Sequence, residues 1–414
     1  MPIQPASVVA RTVTSALGRG CAANVDALWT MRPGLTPCTL DDVPVPTWVG
    51  AVAGLDGLRL DTHAARECAD AAPVAPLTGS LADFDCRNNR LAQLALAQDD
   101  FDAQVQAAIE HHGPARIGLF LGTSTAGIRH SEHCYRLHFE RGTPDLGPDL
   151  RFDTTLSNFS LAAFVRRRLG LRGPAMVIAT ACSSGAKAFA AAHRSLSAGV
   201  CDAAVVGAVD TLCATTLMGF NSLGLLAEHP CTPWGAGRTG ISIGEAAGFA
   251  LLSLAPPVSG RIGLLGYGES SDAHHITAPH PTGAGAKLAM EAALRSADMR
   301  PDQVDYISLH GTGTQANDQS EDHAVAQLFG NGAVVGSIKG WTGHTLGASG
   351  AVEAVLSMLC LEHGLVPGTL NTTTVDPDLM LHPQLQTEAK PIRHVLSNAF
   401  GFGGNNCSLL FGRC

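Results

Sequence analysis

Three short segments, far apart in the chain, carry the side chains that could do chemistry. Cys182 ends an apolar stretch rich in β-branched residues, 176–181, and opens an alanine-rich helical run. A thiol at a strand-to-helix corner lies near a helix N-terminus, where aligned backbone N–H groups favour a thiolate. The corner predicts a nucleophile, although most single cysteines are inert packing residues.

Two histidines occupy similar corners elsewhere. His310 follows the apolar stretch 304–309 and begins a glycine turn that also contains Thr312 and Thr314. Lys339 and His344 lie in a second glycine-containing segment, just before another helix of small residues. Ligands bind at strand ends in α/β sheets. A thiol, two imidazoles and a cation at such corners indicate covalent catalysis supported by the histidines.

Two further features fit this site. Glu353 is the only charge before the last turn of an apolar helix, and an unpaired buried carboxylate would cost several kcal/mol. We expect an ion pair with Lys339, the alternative being that Glu353 reaches solvent. The glycine-rich turn at 398–406 precedes the last strand, and its backbone N–H groups, with the amide of Cys182, could stabilise an oxyanion.

These corners belong to a chain in which strand and helix patterns alternate. The patterns predict strands at 117–122, 176–180, 203–209, 249–254, 262–266, 304–309, 334–338 and 409–411. They predict helices at 88–109, 186–198, 287–297, 319–329 and 346–363, with residues 33–81 largely irregular. The order indicates an α/β fold with buried strands.

The chain is expected to consist of two halves built alike. The helices at 186–198 and 346–363 carry small and apolar residues over most of their surface, which places them between two layers. Each follows a strand and a glycine- or serine-rich corner. We predict a first half, residues 1–257, that carries the nucleophilic cysteine, and a second half, residues 258–414, that carries both histidines.

Composition excludes several classes of function. The 414 residues have a net charge of −9 and no basic stripe, which disfavours nucleic acid as a partner. The twelve cysteines contain no C-x-x-C pair, which favours reduced thiols over a disulfide framework. No long apolar stretch or signal-like N-terminus is present, so we expect no membrane span and a cytoplasmic location.

The segments 180–185, 310–314, 339–344 and 398–405 together resemble the β-ketoacyl-ACP synthases, the condensing enzymes of fatty acid and polyketide assembly. The resemblance covers essentially the whole chain. It implies the thiolase fold, with two duplicated halves in five αβαβα layers, and usually a dimer. The dimer could be a homodimer or a heterodimer with a chain-length-factor-like homologue.

The resemblance also implies a reaction. Cys182 would take an acyl chain from an acyl carrier protein as a thioester. His310 and His344 would hold the malonyl thioester carbonyl and assist decarboxylation, so that the enolate attacks the acyl group and lengthens it by two carbons. Lys339 and Glu353 match the family's supporting ion pair.

The remaining matches concern substrate binding. Thr312 and Thr314 match hydroxyls that bind the pantetheine arm, and Phe400 and Phe402 match substrate-binding positions. Phe402 would also supply the gating ring and the second oxyanion-hole amide, beside that of Cys182. No cofactor and no metal are expected.

Other features leave the pathway and the docking site open. The segments 122–128 and 231–247 resemble a branch associated with bacterial aryl polyene pigments. Acidic carrier proteins dock on basic residues, for which Arg87 and Arg90, or the run 166–168, are candidates.

Two acidic residues and a group of histidines could suggest a metal. We predict a structural role for Asp318 and Glu321, which share a helix face after the histidine turn. Metal binding by His274, His275 and His280 is disfavoured, because their loop resembles a substrate loop of the family.

Two alternatives remain. A thiolase shares the fold but uses a second cysteine before its C-terminal glycine turn, where this chain has Phe400 and Phe402, and Cys407 comes after the turn. A chain-length factor is an inactive homologue that pairs with an active synthase, and such subunits usually lack the cysteine.

Overall fold

The computed structural model of the chain describes residues 2–40, 42–55, 72–254 and 260–413. Its strands are β1 Ala6–Ser15, β2 Gly18–Arg19, β3 Leu35–Pro37, β4 Trp48–Gly50, β5 Ile117–Gly122, β6 Ala175–Ile178, β7 Ala203–Asp210, β8 Ile243–Gly244, β9 Ala246–Ser253, β10 Ile262–Ser271, β11 Tyr306–Ser308, β12 Val335–Gly336, β13 Leu365–Val366, β14 Glu388–Ala389, β15 His394–Gly401 and β16 Asn405–Arg413. Its helices are α1 Cys21–Thr30, α2 Arg87–Leu96, α3 Phe101–His112, α4 Ile128–Arg141, α5 Phe159–Leu169, α6 Ser184–Ser197, α7 Ala214–Ser222, α8 Ala284–Ala297, α9 Gln315–Phe329, α10 Lys339–Thr342 and α11 Ser349–His363.

The main sheet repeats one strand order twice. Its order is β12-β11-β15-β16-β10-β1-β9-β7-β5-β6, with β2 paired to the end of β1. The first set of five strands pairs in the order β1-β9-β7-β5-β6, and the second set pairs in the order β10-β16-β15-β11-β12. These are the same order when the strands of each set are counted along the chain. In both sets only the last two pairs are parallel.

The repeat agrees with the expected duplication. Strands β1 and β10 join the two sets as an antiparallel pair. The predicted division at residues 257 and 258 falls outside the described residues and stays a prediction.

Two central helices lie between the halves, as the small-residue pattern predicts. Helices α6 and α11 contact each other and strands of both halves. Helices α2, α3 and α5 cover the outer face of the first half, and α8, with α9 behind it, covers the second. The layers therefore alternate as helix, sheet, central helices, sheet and helix.

Glycines allow the central helices to approach closely. A Cβ on Gly185 would lie 2.6 Å from the backbone nitrogen of Ala351, and a Cβ on Gly350 would lie 2.6 Å from that of Ala186. Real Cβ atoms do not tolerate such distances. The two helices therefore pack backbone against backbone at their first turns.

The prediction of one helix at 88–109 is wrong. The chain breaks between α2 and α3, where Asp99 and Asp100 have φ values of 55° and 53°. The carboxylate of Asp99 accepts hydrogen bonds from the backbone nitrogen of Cys21, at the start of α1, and from the hydroxyl of Thr12. This tertiary contact holds the break.

Several elements have no counterpart among the predicted ones, including β1, α1, α4, α5, α7 and β15. The segment 33–81 is irregular where it is described, apart from β3, β4 and a short 3₁₀ turn. No helix in the described ranges has both the length and the apolar character needed to cross a membrane.

Replacing Gly350 with Ala tests the helix packing. The added methyl would lie 2.7 Å from the Cβ of Ala186, so the helices must separate, and overpacking of this kind lowers the free energy of unfolding by about 2 kcal/mol. Urea unfolding measures the change. Gly332→Ala is the matched control, because nothing lies within 4 Å of its Cβ position. Equal unfolding midpoints for both variants would contradict this packing.

Candidate active site

Cys182 lies at the corner between β6 and α6. The corner is tight, since Ala181 has a φ of 52°. The hydroxyl of Ser184 accepts a hydrogen bond from the backbone nitrogen of Thr180 at 2.8 Å and donates one to the carbonyl of Ala181 at 2.6 Å. Gly401 packs behind the corner, where a Cβ would lie 3.2 Å from the backbone nitrogen of Cys182. These contacts fix a buried thiol.

His344 contacts this thiol, and His310 in turn lies beside His344. His344 Nε2 lies 2.9 Å from Cys182 Sγ. The rings of His310 and His344 are nearly perpendicular, with centroids 5.3 Å apart, and the ring of Phe400 lies 5.9 Å from that of His310. The structure therefore brings together Cys182 and His344, which are 162 positions apart in sequence.

The expected pair of Lys339 and Glu353 is present. Lys339 Nζ lies 2.7 Å from Glu353 Oε1, which also accepts a hydrogen bond from the hydroxyl of Ser349. Lys339 Nζ also lies 3.3 Å from His310 Nδ1. An ammonium group only donates, so His310 Nδ1 must accept and the ring proton must be on Nε2. Lys339 thus selects the tautomer of His310.

Burial controls the resting protonation of the site. It raises the pKa of the Cys182 thiol to about 11, although the charge of Lys339 and the amide of Phe402 oppose the shift. Burial, followed by the charge of Lys339, lowers the pKa of both His310 and His344 well below 6.5. The resting site therefore holds a thiol and two neutral imidazoles at pH 7.

This protonation differs from the thiolate expected at a helix N-terminus. Helix α6 begins at Ser184, two residues after Cys182, and the thiol is buried. Desolvation outweighs the favourable backbone dipoles at this position.

Two backbone N–H groups face the sulfur. They belong to Phe402 and to Cys182 itself, the two amides expected to form an oxyanion hole. Phe402 begins a short turn in which Gly403 has a φ of 78° and donates from its backbone nitrogen to the carbonyl of Ile276 at 2.7 Å. The turn is therefore anchored to the loop after β10.

Two cavities meet at Cys182. The larger has a volume of about 580 Å³ and is lined by both histidines and by Thr312 and Thr314, whose hydroxyls are 2.9 Å apart. The smaller, of about 430 Å³, is lined largely by α7 and by the backbone around Cys182. Phe220 and Phe402 line both cavities, with ring centroids 5.7 Å apart. The thiol is thus accessible from two directions.

Asp318 and Glu321 hold the histidine turn in place. Glu321 accepts hydrogen bonds from the backbone nitrogens of His310 and Gly311 at 2.8 and 2.9 Å, and Asp318 accepts one from Gly313. Burial raises the pKa of Asp318 to about 6 and that of Glu321 to about 7. Their contacts with the backbone fit the predicted structural role.

The described residues contain one convergent set of three potential metal ligands, which is Cys182, His310 and His344. The ammonium of Lys339, 3.3 Å from His310 Nδ1, disfavours a second cation among these side chains. His274, His275 and His280 form no such set, although the rings of His274 and His280 are 5.1 Å apart. The expectation of no metal stays a prediction.

Three of the arginines predicted as docking candidates form ion pairs with acidic residues of the chain. Arg87 pairs with buried Glu245 through two hydrogen bonds, and Arg90 pairs with Asp85. Residues 166–168 lie in the last turn of α5, and Arg168 pairs with Asp102. This run lies just before β6, whereas Cys182 follows that strand, so it is at the opposite end of the parallel strands. The geometry argues against both proposed docking sites.

Two polar residues close to the site are not among the residues predicted from the sequence. Asp210 ends β7 and is buried, and Ser124 lines the smaller cavity beside Cys182. In the sequence, Asp210 is a lone carboxylate at the end of an apolar strand. A carboxylate buried there requires hydrogen-bond donors, and this requirement could have identified it.

Comparisons with known proteins agree with this geometry. Residues 88–255 match the family model described as beta-ketoacyl synthase, N-terminal domain, and residues 263–373 match that of the C-terminal domain. The 3-oxoacyl-[acyl-carrier-protein] synthase 2 of Staphylococcus aureus (strain COL) is 30% identical over 401 residues, which cover 88% of this chain and 93% of that protein.

Two solved structures are also similar. A chain from the complex of a ketosynthase (ApeO) with its chain length factor (ApeC) from Xenorhabdus doucetiae is 34% identical with a TM-score of 0.87, covering 99% of this chain and 98% of that one. A chain of the ishigamide ketosynthase/chain length factor is 26% identical with a TM-score of 0.84, covering all of both chains. The fold is therefore the thiolase fold, and the chain belongs to the β-ketoacyl synthase family.

Proposed function

We propose that the chain is a β-ketoacyl-[acyl-carrier-protein] synthase that joins a Cys182-bound acyl group to a malonyl unit by decarboxylative Claisen condensation. The observation that carries this proposal is the convergence of Cys182, His310 and His344 where two cavities meet. The relatives named as acyl-carrier-protein synthases support the carrier protein as the source of both groups.

The first step transfers the acyl group to Cys182. The thiol attacks the thioester carbonyl, and its proton passes to His344 Nε2, 2.9 Å away. The oxyanion accepts hydrogen bonds from the amides of Cys182 and Phe402. When the intermediate collapses, the carrier's pantetheine leaves as a thiol with the proton from His344. Transient proton transfer compensates for the high pKa of the resting thiol.

The second step forms the carbon–carbon bond. His310 donates a hydrogen bond from Nε2 to the malonyl thioester carbonyl, and the Lys339 contact fixes this tautomer. His344, whose Nε2 is unprotonated after acyl transfer, donates to the same carbonyl once its ring proton has moved from Nδ1 to Nε2 by exchange with solvent. Loss of CO₂ leaves an enolate, whose charge these donors stabilise without net proton transfer. The enolate attacks the acyl thioester, and the C–S bond to Cys182 breaks. The product is a β-ketoacyl chain on the carrier, and the Cys182 thiolate takes up one proton from solvent, the proton that decarboxylative condensation consumes.

The cavities suit the two substrates. We assign the larger one, which contains the Thr312 and Thr314 hydroxyls, to the pantetheine arm, and the smaller one beside α7 to the acyl chain. Phe400 and Phe402 would bind the substrate between them. The rings of Phe402 and Phe220 stand where the cavities meet, which fits a gating role for Phe402.

The exposed edge of the main sheet supports a dimer. Strand β6 pairs only with β5 among the described strands, and its Met176 is 49% exposed. An edge with apolar side chains favours pairing with a second chain. The partner would be a second copy or a chain-length-factor-like homologue, like the chain length factors that accompany the two similar ketosynthases. Elution as a monomer with and without such a homologue would contradict this proposal.

We also propose an aryl polyene pathway for the chain. The resemblance of segments 122–128 and 231–247 supports an aryl polyene pathway, for which conjugated acyl donors should react faster than saturated donors of equal length. Equal or slower reaction of conjugated donors would contradict it. The cytoplasmic location stays a prediction.

The alternative functions have less support. Cys407 is buried in β16 and lines neither cavity, so it does not supply the second cysteine of a thiolase. An inactive chain-length factor has no need of the contacts among Cys182, His344, His310 and Lys339. Those contacts favour an active subunit.

His310→Ala tests the two-step reaction. Removal of one donor to the enolate should slow condensation about 100-fold, while Cys182 still accepts the acyl group through His344. Chromatography of the carrier-bound product measures condensation, and intact mass measures acylation. His111→Ala, at an exposed position of α3, is the control. Condensation at the wild-type rate in His310→Ala would refute its role.

The charge of Lys339 should shift the pH dependence of acyl transfer. In a Lys339→Met/Glu353→Gln double variant no buried charge is left unpaired, and the loss of the nearby cation raises the pKa of His344. Protonated His344 cannot accept the thiol proton, so the acid limb of the rate profile should move to higher pH. Stopped-time acylation assays between pH 5 and 8, a range of about 3 units around the ordinary histidine pKa, measure this shift. An unchanged limb would show that Lys339 does not act on His344.

A further inference from the structure

Asp210 is a buried carboxylate that is held by one loop. It accepts hydrogen bonds from the hydroxyls of Thr123, Ser124 and Thr125, at 2.7, 2.6 and 2.8 Å, and from the backbone nitrogens of Ser124 and Thr125, both at 2.8 Å. None of the ion pairs among the described residues includes Asp210. The five donors take the place of a cation and fix the loop that follows β5.

Ser124 connects this loop to the second half of the chain. Its hydroxyl donates to Asp210 and accepts a hydrogen bond from the backbone nitrogen of Gly347 at 3.2 Å. A Cβ on Gly347 would lie 2.8 Å from Asp210 Oδ2 and 3.0 Å from the backbone nitrogen of Ser124. The segment after His344 therefore rests directly on the Asp210 cluster.

The position of His344 depends on what holds this segment. On one side, the backbone of His344 bonds to Ser242 and Gly244. On the other, a 3₁₀ turn, Leu346–Ala348, leads into α11, and Leu346 has a φ of 54°. On this second side, the hydroxyl of Ser124 supplies a side-chain hydrogen bond to the turn, at Gly347.

We propose that Ser124 is a positioning residue: its hydroxyl, oriented by Asp210, holds the turn after His344 and keeps His344 Nε2 in contact with Cys182 Sγ. The inference rests on the proposed function only for the role of His344. In this role, Asp210 and Ser124 connect the two halves of the chain across the site. Neither side chain touches the reacting atoms.

Ser124→Ala tests the inference through the resting thiol. The variant keeps the backbone donors to Asp210 but loses both hydroxyl contacts. With His344 displaced, Cys182 loses its proton acceptor, and we expect alkylation of Cys182 by iodoacetamide at pH 7.5 to slow about fivefold. Ser124→Thr keeps a hydroxyl and should restore the rate to within about twofold. Peptide mass spectrometry assigns the adduct to Cys182.

Two further variants separate positioning from other effects. Gly347→Ala pushes the same turn away from Asp210 and should slow alkylation to a similar extent. Ser80→Ala removes an exposed hydroxyl that lines neither cavity, so alkylation should keep its rate and pH profile. Thermal unfolding establishes that each variant is folded.

Wild-type alkylation rates in both Ser124→Ala and Gly347→Ala would overturn the inference. So would equal slowing in Ser80→Ala, which would indicate an effect of serine substitution unrelated to the turn after His344. The assay uses no acyl donor, so failure of the proposed condensation in the wild-type protein is a separate outcome that leaves this result interpretable.

Discussion

The site depends on the close approach of the two central helices. Cys182 precedes α6 by two residues, and His344 precedes α11 by five. Because Gly185 and Gly350 let the first turns of these helices meet without intervening side chains, the two corners face each other. The 2.9 Å contact between the thiol and the imidazole follows from this packing. A duplicated fold thus forms one candidate site, with the proposed nucleophile from one half and the two histidines from the other.

Burial of the site also determines its charge. It disfavours charge on Cys182, His310 and His344, so the resting site is uncharged at its reacting atoms. The charge that remains is on Lys339, paired with Glu353 just behind His310. An ammonium in this place orients an imidazole and attracts developing negative charge without itself contacting the thiol. Such an arrangement suits a reaction that passes through an oxyanion and an enolate.

Sequence reasoning predicted the elements that have simple patterns. Strand β5 has the predicted bounds, and the two small-residue helices lie between layers as expected, because period and side-chain size determine such features. It also predicted the residues that converge on Cys182, since glycine turns after buried strands share one edge of a sheet. The break at Asp99 was missed, because a contact with α1 from a distant part of the chain stabilises it.

The errors at the site have a common physical origin. A sequence shows that a thiol precedes a helix but not how deeply it is buried, so the direction of its pKa shift was misjudged. Arg87 has the charge expected of a docking residue, but buried Glu245 engages it. Asp210 and Ser124 matter through contacts that form only when the two halves pack together.

The central claim is that Cys182 accepts the acyl chain. Incubation of the purified protein with acyl-carrier donors of different length and unsaturation, alone and with a candidate partner homologue, tests it by intact and peptide mass spectrometry. We predict a mass increase equal to the acyl group, located on the peptide that contains Cys182 and absent in Cys182→Ala. No acyl adduct on Cys182 with any donor or partner, or an adduct that persists in Cys182→Ala, would contradict it.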